Sequence, residues 1–285
     1  MMSTAPRLLA AGAILRSHWP EYCIEGWALG MFMISAGGFS TLLGFPGSPA
    51  QSIIPNVTLR RALVGIAMGL TATALIYSPW GKRSGAHMNP AVTLTYLRLG
   101  KIGRWDATFY VIAQFVGGLC GVLIVTALLR DAFTAPPVSY VVTSPGAGGA
   151  IVAFVFEFLI SAILMYVILR VSNHARYARF TGICAGAMVA IFIALEAPFS
   201  GMSMNPARSF ASAVPAHLWR DLWVYFTAPF LGMQAAAAWY VYRRGTRAVG
   251  CAKLLHAADQ RCIHCGYVPP GCQEELRVHS DRSRV

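Results

Sequence analysis

Two asparagines sit in the most specific pattern of this chain. Asn89 lies in Ser84-Gly85-Ala86-His87-Met88-Asn89-Pro90-Ala91-Val92-Thr93, and Asn205 in Ser200-Gly201-Met202-Ser203-Met204-Asn205-Pro206-Ala207-Arg208-Ser209. Both read small-Gly-x-x-Met-Asn-Pro-Ala. A carboxamide does no acid–base work; it offers two N–H donors and one acceptor oxygen without charge. Asn is also a preferred helix N-cap, and Pro suits the first helical position, where its missing N–H is not needed. Each amide can therefore cap a helix with its oxygen and still present its NH2 group to a passing molecule. The chemistry is hydrogen bonding rather than catalysis. No nucleophile–base pair or cofactor motif accompanies it, so an enzyme is not expected.

Three other sets of residues have chemical potential. Arg208 lies in the first turn of the second Asn-Pro-Ala helix, where the helix dipole disfavours a cation. A residue placed against local preference points to function. Glu25 and Glu157 each interrupt a long apolar run. An intramembrane carboxylate is costly and faces the protein interior; the expected role is to hold a loop through its backbone N–H groups, and the alternative is a proton-coupling carboxylate. In the C-terminal stretch, Cys251, His256, Cys262 and Cys265 are ligand types that suit tetrahedral zinc. Their spacing matches no standard finger, and a set of reduced cytosolic thiols is the other reading.

These residues must be positioned by a very apolar chain. Of 285 residues, 56% are hydrophobic and 12% charged, against about 25% charged in soluble domains. A membrane span needs roughly 20 mostly apolar residues, and six stretches qualify, near 22–43, 58–79, 106–129, 149–169, 178–197 and 222–242. The Asn-Pro-Ala helices, near 91–97 and 207–214, are too short to span and must be re-entrant, which is tolerated only where protein buries them or they line a water-filled cavity. Each half then holds a Glu-bearing span, a second span, a half-helix and a third span. An odd number of spans inverts the second copy, and inverted repeats with broken helices place a site at the midplane. The expected fold is an all-α membrane protein of six transmembrane helices and two re-entrant half-helices. The expected domains are an N-terminus of 1–20, a channel domain of 21–243 (repeats of about 21–130 and 148–243) and a tail of 244–285.

The net charge of +12 is distributed by topology, which argues against a nucleic-acid partner. Lys82, Arg83, Arg98, Lys101, Arg104, Arg170, Arg176 and Arg179 fall on the side of the termini, with eight more Lys and Arg beyond Tyr242; Arg60, Arg61, Arg130, Arg208 and Arg220 fall on the other. The positive-inside rule places both termini in the cytoplasm of a multi-pass protein in the cell (plasma or inner) membrane. The first apolar run is too long for a signal-peptide core and reads as a retained span. Gly65, Gly69, Gly117, Gly118, Gly121, Gly182 and Gly186 suit close helix packing. Cys23, Cys120 and Cys184 are expected to be packed within the spans. Segments 44–57 and 130–148, rich in Gly and Pro, read as external loops.

On these motifs, with Glu25, Glu157 and Ala228-Pro229-Phe230 in support, residues 20–243 resemble the aquaporin, or major intrinsic protein, family; the tail lies outside the match. The resemblance implies a homotetramer in a lipid bilayer, each subunit passing water and excluding protons and ions, with small neutral solutes such as glycerol as further candidates. It makes Arg208 the arginine of an outer constriction, joined by Ile193, Met202 and, from the second span, Met68 or Gly69. Loop carbonyls at Gly85, Ala86 and His87 and at Gly201, Met202 and Ser203 become acceptors along the path. The channel itself needs no cofactor. Two other classes, an ion-coupled transporter and a membrane-anchored metal or thiol sensor acting through the tail, would depend on Glu25 and Glu157 or on the cysteines instead.

Overall fold

The computed structural model describes residues 5–269, with side chains described from residue 11. It is helical throughout. The long helices are α1 (Ala5–Gly44), α2 (Val57–Tyr77), α3 (Pro90–Arg98), α4 (Arg104–Leu129), α5 (Gly149–Ser172), α6 (Thr181–Leu195), α7 (Pro206–Ala216) and α8 (Leu222–Arg244). Five of the six long segments satisfy length and hydropathy for a membrane span; α8 is 23 residues long and completes the set by its packing. The helices α3 and α7, of 9 and 11 residues, rise only about 1.5 Å per residue and cannot cross a bilayer.

The halves interleave. Within each, the first and third spans pair, α1 with α4 and α5 with α8, while the second spans α2 and α6 pair across the halves. Each half-helix also packs on the other repeat, α7 on α4 and α3 on α8. The exchange puts both Asn-Pro-Ala starts in one place. Glycines set the spacing of these crossings. A Cβ on Gly26 would lie 2.8 Å from the Ala113 carbonyl oxygen, and one on Gly65 would lie 2.6 Å from that of Ala190. Backbones meet there directly, as small residues permit.

Large apolar side chains cover the outside of the bundle: Ile66, Leu70, Ile112, Val116, Leu128, Ile151, Ile183 and Leu195 are all about half exposed or more. Trp219 and Trp223 stand exposed at one end of the spans, and Trp19, Trp80, Trp239 and Tyr242 at the other. An apolar belt between two aromatic rims is the surface of a multi-pass membrane protein.

Three expectations change here. The first helix begins far earlier than residue 22, the expected start of the first span, because helix-forming Ala, Leu and Arg residues carry it from Ala5 through Pro20. Cys23 and Cys120 are exposed and Cys184 half-buried rather than packed inside; an apolar position in a span faces either protein or lipid, and a thiol is compatible with both. Segment 130–148 does more than join the halves. Thr143 hydrogen-bonds Ser209 at 2.7 Å, and Val138, Val141 and Val142 line the central cavity.

Candidate functional site

The two loops before the half-helices have the same backbone. Gly85 and Gly201 adopt φ of +109° and +81°, and the non-glycine pairs Ala86/Met202 and Met88/Met204 also take positive φ, between +49° and +54°. Left-handed backbone at a side-chain-bearing residue costs roughly 1–2 kcal/mol, so something must hold it. Glu25 and Glu157 do. Glu25 accepts hydrogen bonds from the Ser84 hydroxyl (2.7 Å), the backbone N–H of His87 (3.0 Å) and Met88 (2.7 Å), and the Gln114 amide (2.9 Å). Glu157 accepts from the Ser200 hydroxyl (2.8 Å) and the N–H of Ser203 (2.6 Å) and Met204 (2.7 Å). Both carboxylates are fully buried.

The serines complete each clamp. Ser84 and Ser200 also accept the N–H of Ala86 and Met202, each at 3.1 Å. Tyr110 and Tyr225 donate to the carbonyls of the same serines. Sequence reading missed Ser84, Ser200, Tyr110, Tyr225 and Gln114 as loop partners. The serines had a signal: they begin both repeated motifs, where only a small residue was noted.

At the centre the half-helices meet N-terminus to N-terminus. Asn89 caps α3 through the N–H of Ala91 (2.8 Å), and Asn205 caps α7 through those of Ala207 (3.1 Å) and Arg208 (3.3 Å). Each NH2 group then donates across the seam, Asn89 to the Met204 carbonyl and Asn205 to the Met88 carbonyl, both at 2.7 Å. The expectation of a free amide is thus half met: one N–H of each joins the repeats, leaving one donor.

A cavity of about 600 Å³ runs past this seam. Among its walls are Asn89, Asn205, Arg208, Ile193, Met202 and Met68. Gly69 is not among them; it faces α6, where a Cβ would meet the Ala190 side chain at 2.9 Å. Of the two second-span candidates, Met68 is therefore the one beside the cavity. The Arg208 Nη1 is buried with no hydrogen-bond partner among the described residues, so it has a donor to offer. Arg60 and Arg61 line the same end, Arg61 donating to the Ala194 carbonyl at 3.0 Å; they were placed on that side from sequence but not at the cavity.

Ala86, His87, Gly201, Met202 and Ser203 line the cavity too, and their carbonyls accept no hydrogen bond from the described residues. Gly85 differs from its expected place as a free acceptor. Its carbonyl accepts the N–H of Leu254 at 3.1 Å, because the tail folds back onto this loop. The tail also brings Cys251, His256, Cys262 and Cys265 together, their ligand atoms within 4.8 Å of one another.

Just past α6, Glu196 is 5% exposed, and neither carboxylate oxygen has a hydrogen-bond partner among the described residues. A buried carboxylate without donors is costly, so Glu196→Gln, which keeps the shape and removes the charge, is expected to raise the melting temperature by a few degrees at pH 8; thermal unfolding in detergent measures this.

The family model described as Major intrinsic protein matches residues 16–241. Aquaporin NIP2-3 of Zea mays is 34% identical over 228 residues, 79% of this chain and 73% of that protein. Probable aquaporin NIP4-2 of Arabidopsis thaliana is 35% identical over 203 residues, covering 70% and 69%. Among solved structures, the aquaglyceroporin from Plasmodium falciparum superposes with a TM-score of 0.66 at 20% identity, over 78% of this chain and 95% of that one. At that identity the likeness is one of fold.

Proposed function

Because the chain belongs to the major intrinsic protein family, a family of channels, we propose that the Asn89–Asn205 seam is the centre of its conducting path and Arg208 its outer filter. The protein is a passive membrane channel for water and small neutral solutes such as glycerol. The observation that carries the proposed path is the reciprocal bonding of the two half-helix starts inside a continuous cavity. Two helix N-termini each present about half a positive charge, and opposed in one place they repel cations, a barrier known in aquaporin-type pores. The remaining N–H of each asparagine donates to the oxygen of a passing molecule, and the loop carbonyls accept its hydrogens. Glu25 and Glu157 serve the loops and not a proton cycle, since every carboxylate oxygen is already committed to donors.

The filter reading joins Arg208 with Ile193, Met202 and Met68. One wall donates hydrogen bonds and the others are apolar, which suits a neutral solute with a hydrocarbon side. On the distribution of Lys and Arg, the face carrying the termini is cytoplasmic, the membrane being the plasma or inner membrane. A homotetramer with one pore per subunit is the assembly the reading adopts, and no catalytic activity accompanies it.

Protein purified with chelator present and reconstituted into vesicles should raise osmotic water permeability several-fold over empty vesicles, with no ionic current. Stopped-flow light scattering in sucrose measures the first and planar-bilayer recording the second. Ionic conductance without a gain in water permeability would overturn the reading.

A further inference from the structure

The chain does not end at its last span. Beyond α8 it turns back, and residues 249–267 lie against the inner loop. Val249, Ala252, Lys253, Leu254 and Cys262 are all nearly or fully buried. Their contacts with the loop are consecutive and polar. The His87 ring donates from Nε2 to the Ala252 carbonyl (2.8 Å), the Leu254 N–H donates to the Gly85 carbonyl (3.1 Å), and His264 Nε2 donates to the Ser84 carbonyl (3.2 Å). His264 also stacks on His87, with ring centres 6.0 Å apart. Leu254 forms part of the cavity wall. A tail that merely trailed into the cytoplasm would not bury a lysine or occupy the acceptors of a conducting loop.

The cysteines explain how so short a segment stays folded. Cys251 Sγ and Cys262 Sγ are 3.4 Å apart, and His256 Nε2 and Cys265 Sγ 3.2 Å. Zinc at about 2.3 Å from sulfur and about 2.0–2.1 Å from imidazole nitrogen needs tetrahedral ligand atoms roughly 3.6–3.8 Å apart; these two pairs stand a few tenths of an ångström inside that, and all four atoms lie within 4.8 Å of one another. The surroundings fit a metal thiolate. The backbone N–H groups of His264 and Cys265 favour a thiolate at Cys262, and that of Lys253 favours one at Cys251, as outer donors to a metal thiolate do. Cys262-Ile263-His264-Cys265-Gly266 turns sharply, Gly266 at φ +73° returning its N–H to the Cys262 carbonyl. Three thiolates around a divalent ion leave one negative charge, and the buried Lys253 ammonium, held on the Arg261 carbonyl at 2.9 Å, is attracted to all three cysteines as well as to Glu21.

We propose that Cys251, His256, Cys262 and Cys265 bind one zinc ion, and that the metal holds residues 252–264 as a plug over the inner mouth of the pore. The ligands hold the plug at both ends: Cys251 immediately precedes it and Cys265 immediately follows it, with His256 and Cys262 inside. Losing the ion unties both ends at once, so the metal state sets whether the inner mouth is covered. The plug half of this rests on the channel reading; the metal half does not.

The full chain is purified without chelator, and its metal content and water flux are measured before and after stripping. One zinc per chain is expected, and cobalt put in its place should give the intense sulfur-to-cobalt absorption of a thiolate site. Stripping should raise water permeability several-fold, and zinc but not magnesium should reverse it. His256→Ala, at an exposed position, should lose the metal and show the high flux without treatment. Trypsin cleavage after Lys253, 2% exposed, should be slow in the zinc form and fast in the stripped form. No bound metal, or a Cys251–Cys262 disulfide in its place, overturns the site. Equal flux in zinc and stripped forms of a conducting protein overturns the plug. A chain that holds zinc but conducts in neither state refutes the channel reading instead, and the trypsin cut alone then decides whether the metal pins the tail.

Discussion

Glu157→Ala should leave little folded channel. The carboxylate satisfies the Ser200 hydroxyl and the N–H groups of Ser203 and Met204, all buried. A buried donor left without a partner costs roughly 1–3 kcal/mol, so losing all three costs about 3–9 kcal/mol, a large part of the 5–15 kcal/mol that holds a typical domain together. The loop it holds is strained as well, with Met202 and Met204 left-handed, and would relax once released. The expected result is a collapse in monodisperse yield and a melting temperature lower by ten degrees or more. Glu157→Gln should fall between, because its amide keeps one acceptor but turns an NH2 group toward a backbone donor. Both are read by size exclusion and thermal unfolding. An alanine variant with the parent's melting temperature would refute the clamp and revive a titrating role for this carboxylate.

Arg208→Val should fold and lose selectivity. Val retains some bulk but no charge, and among the described residues the hydrogen bond that joins Arg208 to another side chain is that of its backbone N–H in the cap, its Nη1 having none. A unit charge about 4 Å from a passing cation is worth about 4 kcal/mol at an effective dielectric near 20. Its removal is expected to raise cation leak at least tenfold, while the helix-end barrier at Asn89 and Asn205 still opposes the remainder. Glycerol flux should rise with the wider opening. Ile193→His makes the converse change: it adds a donor opposite the arginine, narrows the opening, and should lower glycerol flux more than water flux. Vesicle shrinkage in glycerol and sucrose, with bilayer recording for the leak, checks both. If Ile193→His leaves the glycerol-to-water ratio unchanged, the constriction lies elsewhere.

The repeated Asn-Pro-Ala motifs, the two buried glutamates and the long apolar runs carry most of the architecture in their own residue types. An amide before a proline announces a capped helix, and a lone carboxylate in an apolar run announces an interior partner. The positions that went astray depended on register or on distant chain. Met68 and Gly69 are neighbours on one helix, and only the contact with α6 decides which of them faces the cavity. Gly85 reads as a free acceptor because its partner, Leu254, lies 169 positions away in a segment with no repeat to mark it. Nothing local in Cys23 or Cys120 says which side of a span they occupy.

The acceptors in the central seam are both main-chain atoms, the carbonyls of Met88 and Met204. The joint uses no side-chain atom of either methionine, while an asparagine caps with its oxygen and still has two N–H donors, one for the seam and one for the lumen. The four positions, in mirror relation, are therefore unequal in their freedom: the side chain is less constrained at the two methionines than at the two asparagines. Since each amide closes on the backbone of the opposite copy, neither repeat can move its loop without undoing the other's. After the ancestral duplication that the twin motifs imply, the copies were free to diverge on their outer faces and bound to change together at the seam.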